Sequence, residues 1–84
     1  MYEVVFDVKA MEFLEKAEKK LAKRIWNKIM DSKADPHHFF DKMTGRNDHK
    51  LRVGNYRVVA DIRDDIERIE ITLIDHRKRI YKRI

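Results

Sequence analysis

The chain opens on YEVVF (2–6), a short run of β-branched and aromatic residues, and Asp7 follows as a candidate helix N-cap. This pattern predicts a first strand that leads into a helix. From Val8 to about Lys33 the apolar positions recur every three or four residues, at Leu14, Ala17, Leu21, Ile25 and Ile29. Ala22 and Trp26 widen the stripe, and Lys16, Lys19, Lys20, Lys23 and Lys28 take much of the opposite face. One unbroken helix of ~26 residues would be ~39 Å long, against a diameter of ~30 Å for a compact domain of this size. No Gly or Pro interrupts the stretch, but Lys16–Lys20 is its most polar part. The pattern therefore predicts two helices folded back as a hairpin.

Asp35-Pro36 closes the helical region, because the residue before a proline is pushed out of the α conformation. Residues 34–49 are the longest irregular stretch and contain His37-His38, Phe39-Phe40 and Gly45. In KLRVGNYRVVADI (50–62), Gly54-Asn55 between two alternating runs is a two-residue hairpin signal. Leu51 and Val53 should face the core, which sends Lys50 and Arg52 to the other face. In the returning strand Arg57, Val59 and Asp61 share one face, and Tyr56, Val58, Ala60 and Ile62 the other. Arg63-Asp64-Asp65 reads as a turn, and ERIEITLI (67–74) as a third strand. A strand, a helix pair and a three-stranded antiparallel meander predict an α+β fold with the helices packed on one face of the sheet. The other face must then meet solvent or a ligand, and it would carry Lys50, Arg52 and Arg57. Asp61 on the same face should pair with part of that charge.

At 84 residues the chain makes one domain, 1–84. It has no cysteine, which excludes a disulfide framework, a thiolate metal site and a cysteine nucleophile. Charged residues are 42% of the chain, but hydrophobic residues are still 43%, too many for a disordered chain. No apolar run reaches the ~18–20 residues of a membrane span. The N-terminal MYEVVFDVK lacks a basic segment followed by an apolar one, so the expectation is a cytoplasmic protein with no membrane partner.

Charge changes the picture more. Residues 1–40 carry eight Lys/Arg and seven Asp/Glu, a balance of +1, whereas residues 41–84 carry twelve and eight, a balance of +4. Eight of the nine arginines lie in that second half. Arg binds phosphate bidentately, so this enrichment points towards phosphate recognition, although a solvated face would look similar. His37-His38 with Asp41 lacks the further ligands that a metal site needs, so no metal is expected. Ser32 is the only serine, and Gly45 and Gly54 are isolated, so neither a serine triad nor a glycine-rich phosphate loop is present.

KLRVGNYRVV (50–59), the alternating strand after it and HRKRIY (76–81) together resemble the signature of the RelE/ParE toxin superfamily. The resemblance covers essentially the whole chain, since the first strand and the basic helix pair fit as well. It implies the toxin of a type II toxin–antitoxin pair. RelE-type members cut mRNA in the ribosomal A site without metal or cofactor, and ParE-type members poison DNA gyrase. For the RelE chemistry, the resemblance implies catalytic roles for Lys50, Arg57, Arg77 and Tyr81. Arg57 and Arg77 would hold the phosphate, Lys50 would activate or stabilise charge, and Tyr81 would orient or deprotonate the 2′-hydroxyl or stack on a base. Arg52, His49, His76 and Arg79 would bind RNA. A second family lysine, two residues before Lys50, is Asp48 here, which would shift work onto His49 or His76. The family's frequent tyrosine three residues after Arg57 is Ala60. The implied partners are the ribosome, mRNA and an extended, acidic, RelB-like antitoxin. The resemblance favours the ribosome-dependent endoribonuclease, with a ParE-like gyrase poison as the alternative.

Overall fold

A computed structural model describes all residues, 1–84. Strand β1 (Glu3–Phe6) is followed by α1 (Val8–Lys16), α2 (Lys19–Asp31) and a single turn, α3 (Pro36–Phe39). Then come β2 (Asp41–Lys42), β3 (His49–Val53), β4 (Tyr56–Arg63), β5 (Arg68–His76) and α4 (Arg77–Arg83). The strands form one sheet in the order β1-β5-β4-β3-β2. β3, β4 and β5 make the antiparallel meander that the alternation predicts, while β1 runs parallel to β5 at the sheet edge. No helix is long and apolar enough to cross a membrane.

The helix hairpin forms where the charge pattern places it. Ala17 (φ −71°, ψ 155°) and Glu18 (φ −55°, ψ 140°) are extended, and these two residues turn the chain without Gly or Pro. Asp7 sits at the N-cap of α1, but its carboxylate makes no capping hydrogen bond. Ile25 and Ile29 of α2 and Ala10 of α1 are fully buried against Leu51, Val53, Val58, Ala60, Ile69, Ile71 and Ile74 of the sheet. Each fully buried aliphatic side chain contributes roughly 1.5–3 kcal/mol relative to exposure, so this face carries most of the hydrophobic stabilisation.

Three features depart from the sequence expectations. The irregular stretch contains α3 and the short strand β2. The charged C-terminal run is a helix, α4. Finally, the helices do not all share one face: α4 packs across the opposite face, where Ile80 closes a second small cluster with Met43, Val59 and Leu73. That cluster exists because β5 changes its side-chain parity. Val59 pairs with Leu73 while Ala60 pairs with Ile71, so Thr72 is an extra residue, a β-bulge, and its hydroxyl donates to the Val59 carbonyl at 3.2 Å. Ile69 and Ile71 therefore face α1 and α2, Leu73 faces α4, and Ile74 faces the first core again.

Candidate functional site

The β3–β4 hairpin has a two-residue loop closed by the Val53–Tyr56 pair, and Gly54 at φ 57° supplies the positive φ at its first loop position. This register fixes the basic face. Leu51 and Val53 are buried on the helix side, which puts Lys50 and Arg52 on the α4 side. Arg52 lies directly opposite Arg57, and Arg57 lies opposite Asp75.

Lys50 and Tyr81 meet. The Lys50 ammonium donates to the Tyr81 phenol oxygen at 3.0 Å. They line a cleft of about 320 Å³ with Met43, Thr44, Arg46 and Ile84. Tyr81 is 52% exposed, so its hydroxyl reaches solvent and any ligand in that cleft. Arg57 uses one guanidinium nitrogen, Nη1, to donate to the carbonyls of Gly54 (3.0 Å) and Tyr56 (2.8 Å), which leaves its Nη2 edge without a protein partner. Arg77 stands beside this turn, since its backbone N–H donates to the Asn55 carbonyl at 2.8 Å. Its exposed side chain has no ion pair. Arg77 precedes Tyr81 by four residues, so both project from one flank of α4.

Asp75 faces Arg57 but does not pair with it. Its carboxylate accepts from Arg83 at 2.8 Å through one oxygen and from the His76 N–H at 2.7 Å through the other. Both oxygens are engaged, so the acid opposite Arg57 clamps α4 to β5 instead. Burial opposes ionisation of Asp75, but the Arg83 guanidinium and the His76 N–H hold its carboxyl below the usual carboxylate range.

The remaining RNA-binding expectations divide. Arg52 lies on the proposed face. His49 does not: it shares the parity of Leu51 and packs edge-on against His37 with ring centroids 5.5 Å apart. Burial pulls the His49 imidazole down, and its Nδ1 is buried without a partner. His76 caps α4, accepting from the Lys78 N–H at 3.1 Å, and stands edge-on to Tyr56. Arg79 lies two residues after Arg77 and falls on the other flank of α4, in a hollow with Phe13, Tyr56 and His76. The four expected RNA contacts therefore do not form one surface.

Asp48 does not stand as a bare negative charge near Lys50. Arg46 holds it in a two-pronged ion pair, Nε to Oδ1 at 2.8 Å and Nη2 to Oδ2 at 2.9 Å. The Arg46 hydrogen bond keeps the Asp48 carboxyl below the usual range. Where the family carries a second lysine, this chain has a neutral pair. The expected pairing by Asp61 is absent: no cation lies within ion-pair distance, and burial with the neighbouring acids Asp48 and Glu70 pushes its carboxyl up. His37 and His38 do not converge either. His37 Nε2 lies 2.8 Å from Asp64, while His38 packs on Phe39, and no group of three acid or histidine side chains is placed to hold a metal ion. Sequence reasoning missed Arg46, Asp75 and Arg83. Only Asp75 left a signal, as an acid that ends the apolar run of β5.

A family model described as the ParE toxin of the type II toxin–antitoxin system parDE matches residues 4–81. The chain belongs to this family. No curated protein sequence matches it. The toxin–antitoxin complex RelBE2 from Mycobacterium tuberculosis superposes with a TM-score of 0.80 at 22% identity, over 89% of this chain and 96% of that one. The RelB–RelE complex from Methanococcus jannaschii gives 0.72 at 26% identity, over 95% and 98%. The isolated E. coli RelE toxin gives 0.78 at 17% identity, over 99% and 98%. The protein is thus a type II toxin of the RelE/ParE superfamily with the RelE-like α+β fold. The toxin's bulge, hairpin and α4 bring Lys50 and Tyr81 into contact and place Arg52, Arg57 and Arg77 beside the same end of the sheet.

Proposed function

We propose that this toxin is a ribosome-dependent endoribonuclease that cuts mRNA in the ribosomal A site and so stops translation. The observation that carries the reading is the 3.0 Å hydrogen bond from Lys50 to Tyr81, beside two arginines that no carboxylate neutralises. In the reaction the RNA 2′-hydroxyl attacks the adjacent phosphorus. The bond to the 5′-oxygen breaks, leaving a cyclic phosphate and a 5′-hydroxyl end. Such a site must move a proton off the 2′-oxygen, hold the charge of the phosphorane and return a proton to the 5′-oxygen. Tyr81 accepts its hydrogen bond from Lys50, so its own O–H is free to engage the 2′-oxygen or a phosphate oxygen. Lys50 places its amine nitrogen next to that oxygen. Arg57, through its open Nη2 edge, and Arg77 take the non-bridging oxygens bidentately. Arg52 binds the flanking strand. The chemistry uses the substrate's own nucleophile, so the reading calls on no metal or cofactor.

The protein's partner in the cell is an antitoxin with an extended, acidic, partly helical segment that orders on contact. Two of the similar solved structures are toxin–antitoxin complexes, and the +4 balance of residues 41–84 suits such a partner. The matching family model bears the ParE name, which favours a second reading: a gyrase poison that uses the same scaffold without nuclease chemistry.

One experiment separates the readings. A reporter mRNA is translated with purified ribosomes and toxin, and the 5′ ends are mapped. Cuts at ribosome-occupied codons with a 5′-hydroxyl on the downstream fragment support the nuclease. Intact mRNA together with gyrase trapped on broken DNA gives the result to the ParE-like reading.

A further inference from the structure

The only arginine of the N-terminal half, Arg24, does not sit among the other charges of its helix. It reaches from α2 to the β3–β4 turn. A Cβ built on Gly54 would lie 2.9 Å from Arg24 Nη1 and 3.0 Å from Nη2, so the guanidinium rests on the bare backbone of the turn. The φ of 57° is what favours glycine here, and a side chain at Gly54 would also displace the flexible end of Arg24 from the turn.

The pairing of the nine arginines makes this placement informative. Arg46, Arg63, Arg68 and Arg83 each hold a carboxylate. Arg24, Arg52, Arg57, Arg77 and Arg79 hold none; Arg79 lies on the other flank of α4, but the other four gather at the Gly54–Asn55 tip: Arg24 on Gly54, Arg57 on the Gly54 carbonyl, Arg52 opposite Arg57, and Arg77 through its N–H to Asn55. Like charges kept close without a counter-ion repel one another, and a bound anion relieves that repulsion. The basic strip also continues beyond the tip. Lys20 and Lys28 lie four residues on either side of Arg24, hence on the same helix flank, and neither is in an ion pair.

We infer that Arg24 is a substrate-positioning residue, which grips a phosphate of the single-stranded RNA next to the scissile one and carries the strand from the sheet face around the hairpin tip onto α2. The inference rests on the nuclease reading for the meaning of "scissile" but not for the contact itself. The occupant is a phosphodiester backbone rather than an acidic peptide. A peptide ordering on contact would need apolar anchors, whereas Trp26, the exposed apolar residue of α2, turns to the other flank and stacks on Phe6 at 5.3 Å. Arg24 and Arg57 both reach Gly54, one against its Cα and the other at its carbonyl, so a strand that passes the hairpin tip would meet both.

The test measures binding without cleavage. Affinity for a short 2′-O-methyl oligoribonucleotide, which lacks the attacking hydroxyl, is followed by fluorescence anisotropy over a range of salt concentrations. For single strands log K falls with log salt by ~0.7 for each phosphate neutralised. Arg24→Gln should flatten that slope by ~0.7, as for one lost contact. Arg24→Lys should keep the slope but bind several-fold more weakly, and Arg63→Gln, at the far end of β4, should change neither. Thermal melts confirm that each variant is folded. If Arg24→Gln does not fold, Arg24→Lys decides alone, and wild-type affinity there overturns the proposal. An unchanged slope in folded Arg24→Gln, an equal loss in Arg63→Gln, or binding of an acidic peptide but not of RNA also overturns it. Absence of ribosomal cleavage with the slope change intact would defeat the nuclease reading and leave this one standing.

Discussion

The two faces of the sheet are built to different rules. The face under α1 and α2 is an eleven-residue apolar cluster in which position after position is fully buried. The face under α4 buries only Met43, Val59, Leu73 and Ile80, and around them stand Lys50, Arg52, Arg57 and Tyr81, partly or fully open to solvent. The first face holds the domain together, and the second is held in place by the first. Stability and the proposed chemistry therefore fall on different residues, and substitutions should separate them.

The largest effect expected is on rate. Arg57→Ala and Arg77→Ala should each lower ribosome-dependent cleavage ~10²–10³-fold, by analogy with the loss of one preorganised charge stabiliser, while the melting curve moves little. A large melting shift in either would show that the α4 face also carries the fold. Ile29→Ala should do the reverse. It opens a cavity in the helix-side core and should cost ~2–5 kcal/mol in denaturant unfolding, with the remaining folded protein cutting RNA at its normal rate.

Arg83→Ala sits between the two classes. It leaves the Asp75 carboxylate with only the His76 N–H, so unfolding should become easier by about 1–3 kcal/mol and α4 should loosen over Tyr81. The sign of its pH dependence follows from the lowered Asp75 carboxyl. That group's stabilisation is fully present above the unfolded carboxylate value near pH ~3.9 and is lost as the pH falls through the lower folded value. Denaturant midpoints taken from neutral to acid pH should show the wild-type loss, and it should shrink in Arg83→Ala.

The smallest effect concerns His49, which sequence reasoning assigned to RNA and the structure assigns to the helix side. Its lowered folded value means that the native state resists taking a proton. Stability should therefore decline as the pH falls through the unfolded histidine value of ~6.5 towards the folded one. His49→Gln should remove that decline and leave cleavage unchanged. A loss of cleavage in a folded His49→Gln would return this residue to the site.

Much of this was readable from residue types and spacing. Period-two alternation around Gly54-Asn55 located the hairpin and the side of the sheet that carries Lys50, Arg52 and Arg57. The resemblance then supplied Arg77 and Tyr81, and the fold brings Tyr81 to Lys50. What escaped has common physical causes. The β5 bulge at Thr72 shifts parity by one residue, which an alternation count cannot foresee in ITLI, where Leu73 and Ile74 are adjacent and both apolar. The helix α4 is a run of five cations in seven residues framed by few apolar positions, too short for a periodic signal. The resemblance gives His49 the work of the lysine that Asp48 replaces, yet His49 and Lys50 are neighbours on a strand and point to opposite faces. The Arg46–Asp48 and Asp75–Arg83 pairs depend on side-chain reach, which composition does not encode.

The parallel pairing of β1 with β5 bears on how this toxin comes into being. Glu3 pairs with Arg68 and Phe6 with Ile71, so β1 has no neighbour in the sheet until β5 has been made. The helix pair can form earlier, but the strands that its apolar stripe covers are also late ones. Contacts this distant in the chain are slow to close. The Lys50–Tyr81 contact waits for α4 as well. The growing polypeptide therefore has no assembled Lys50–Tyr81 contact, and β1, α1 and α2 emerge before the candidate site exists. Ribosome-held chains halted before Arg68 should be cut readily by protease within residues 1–33, and chains released after Arg83 should resist.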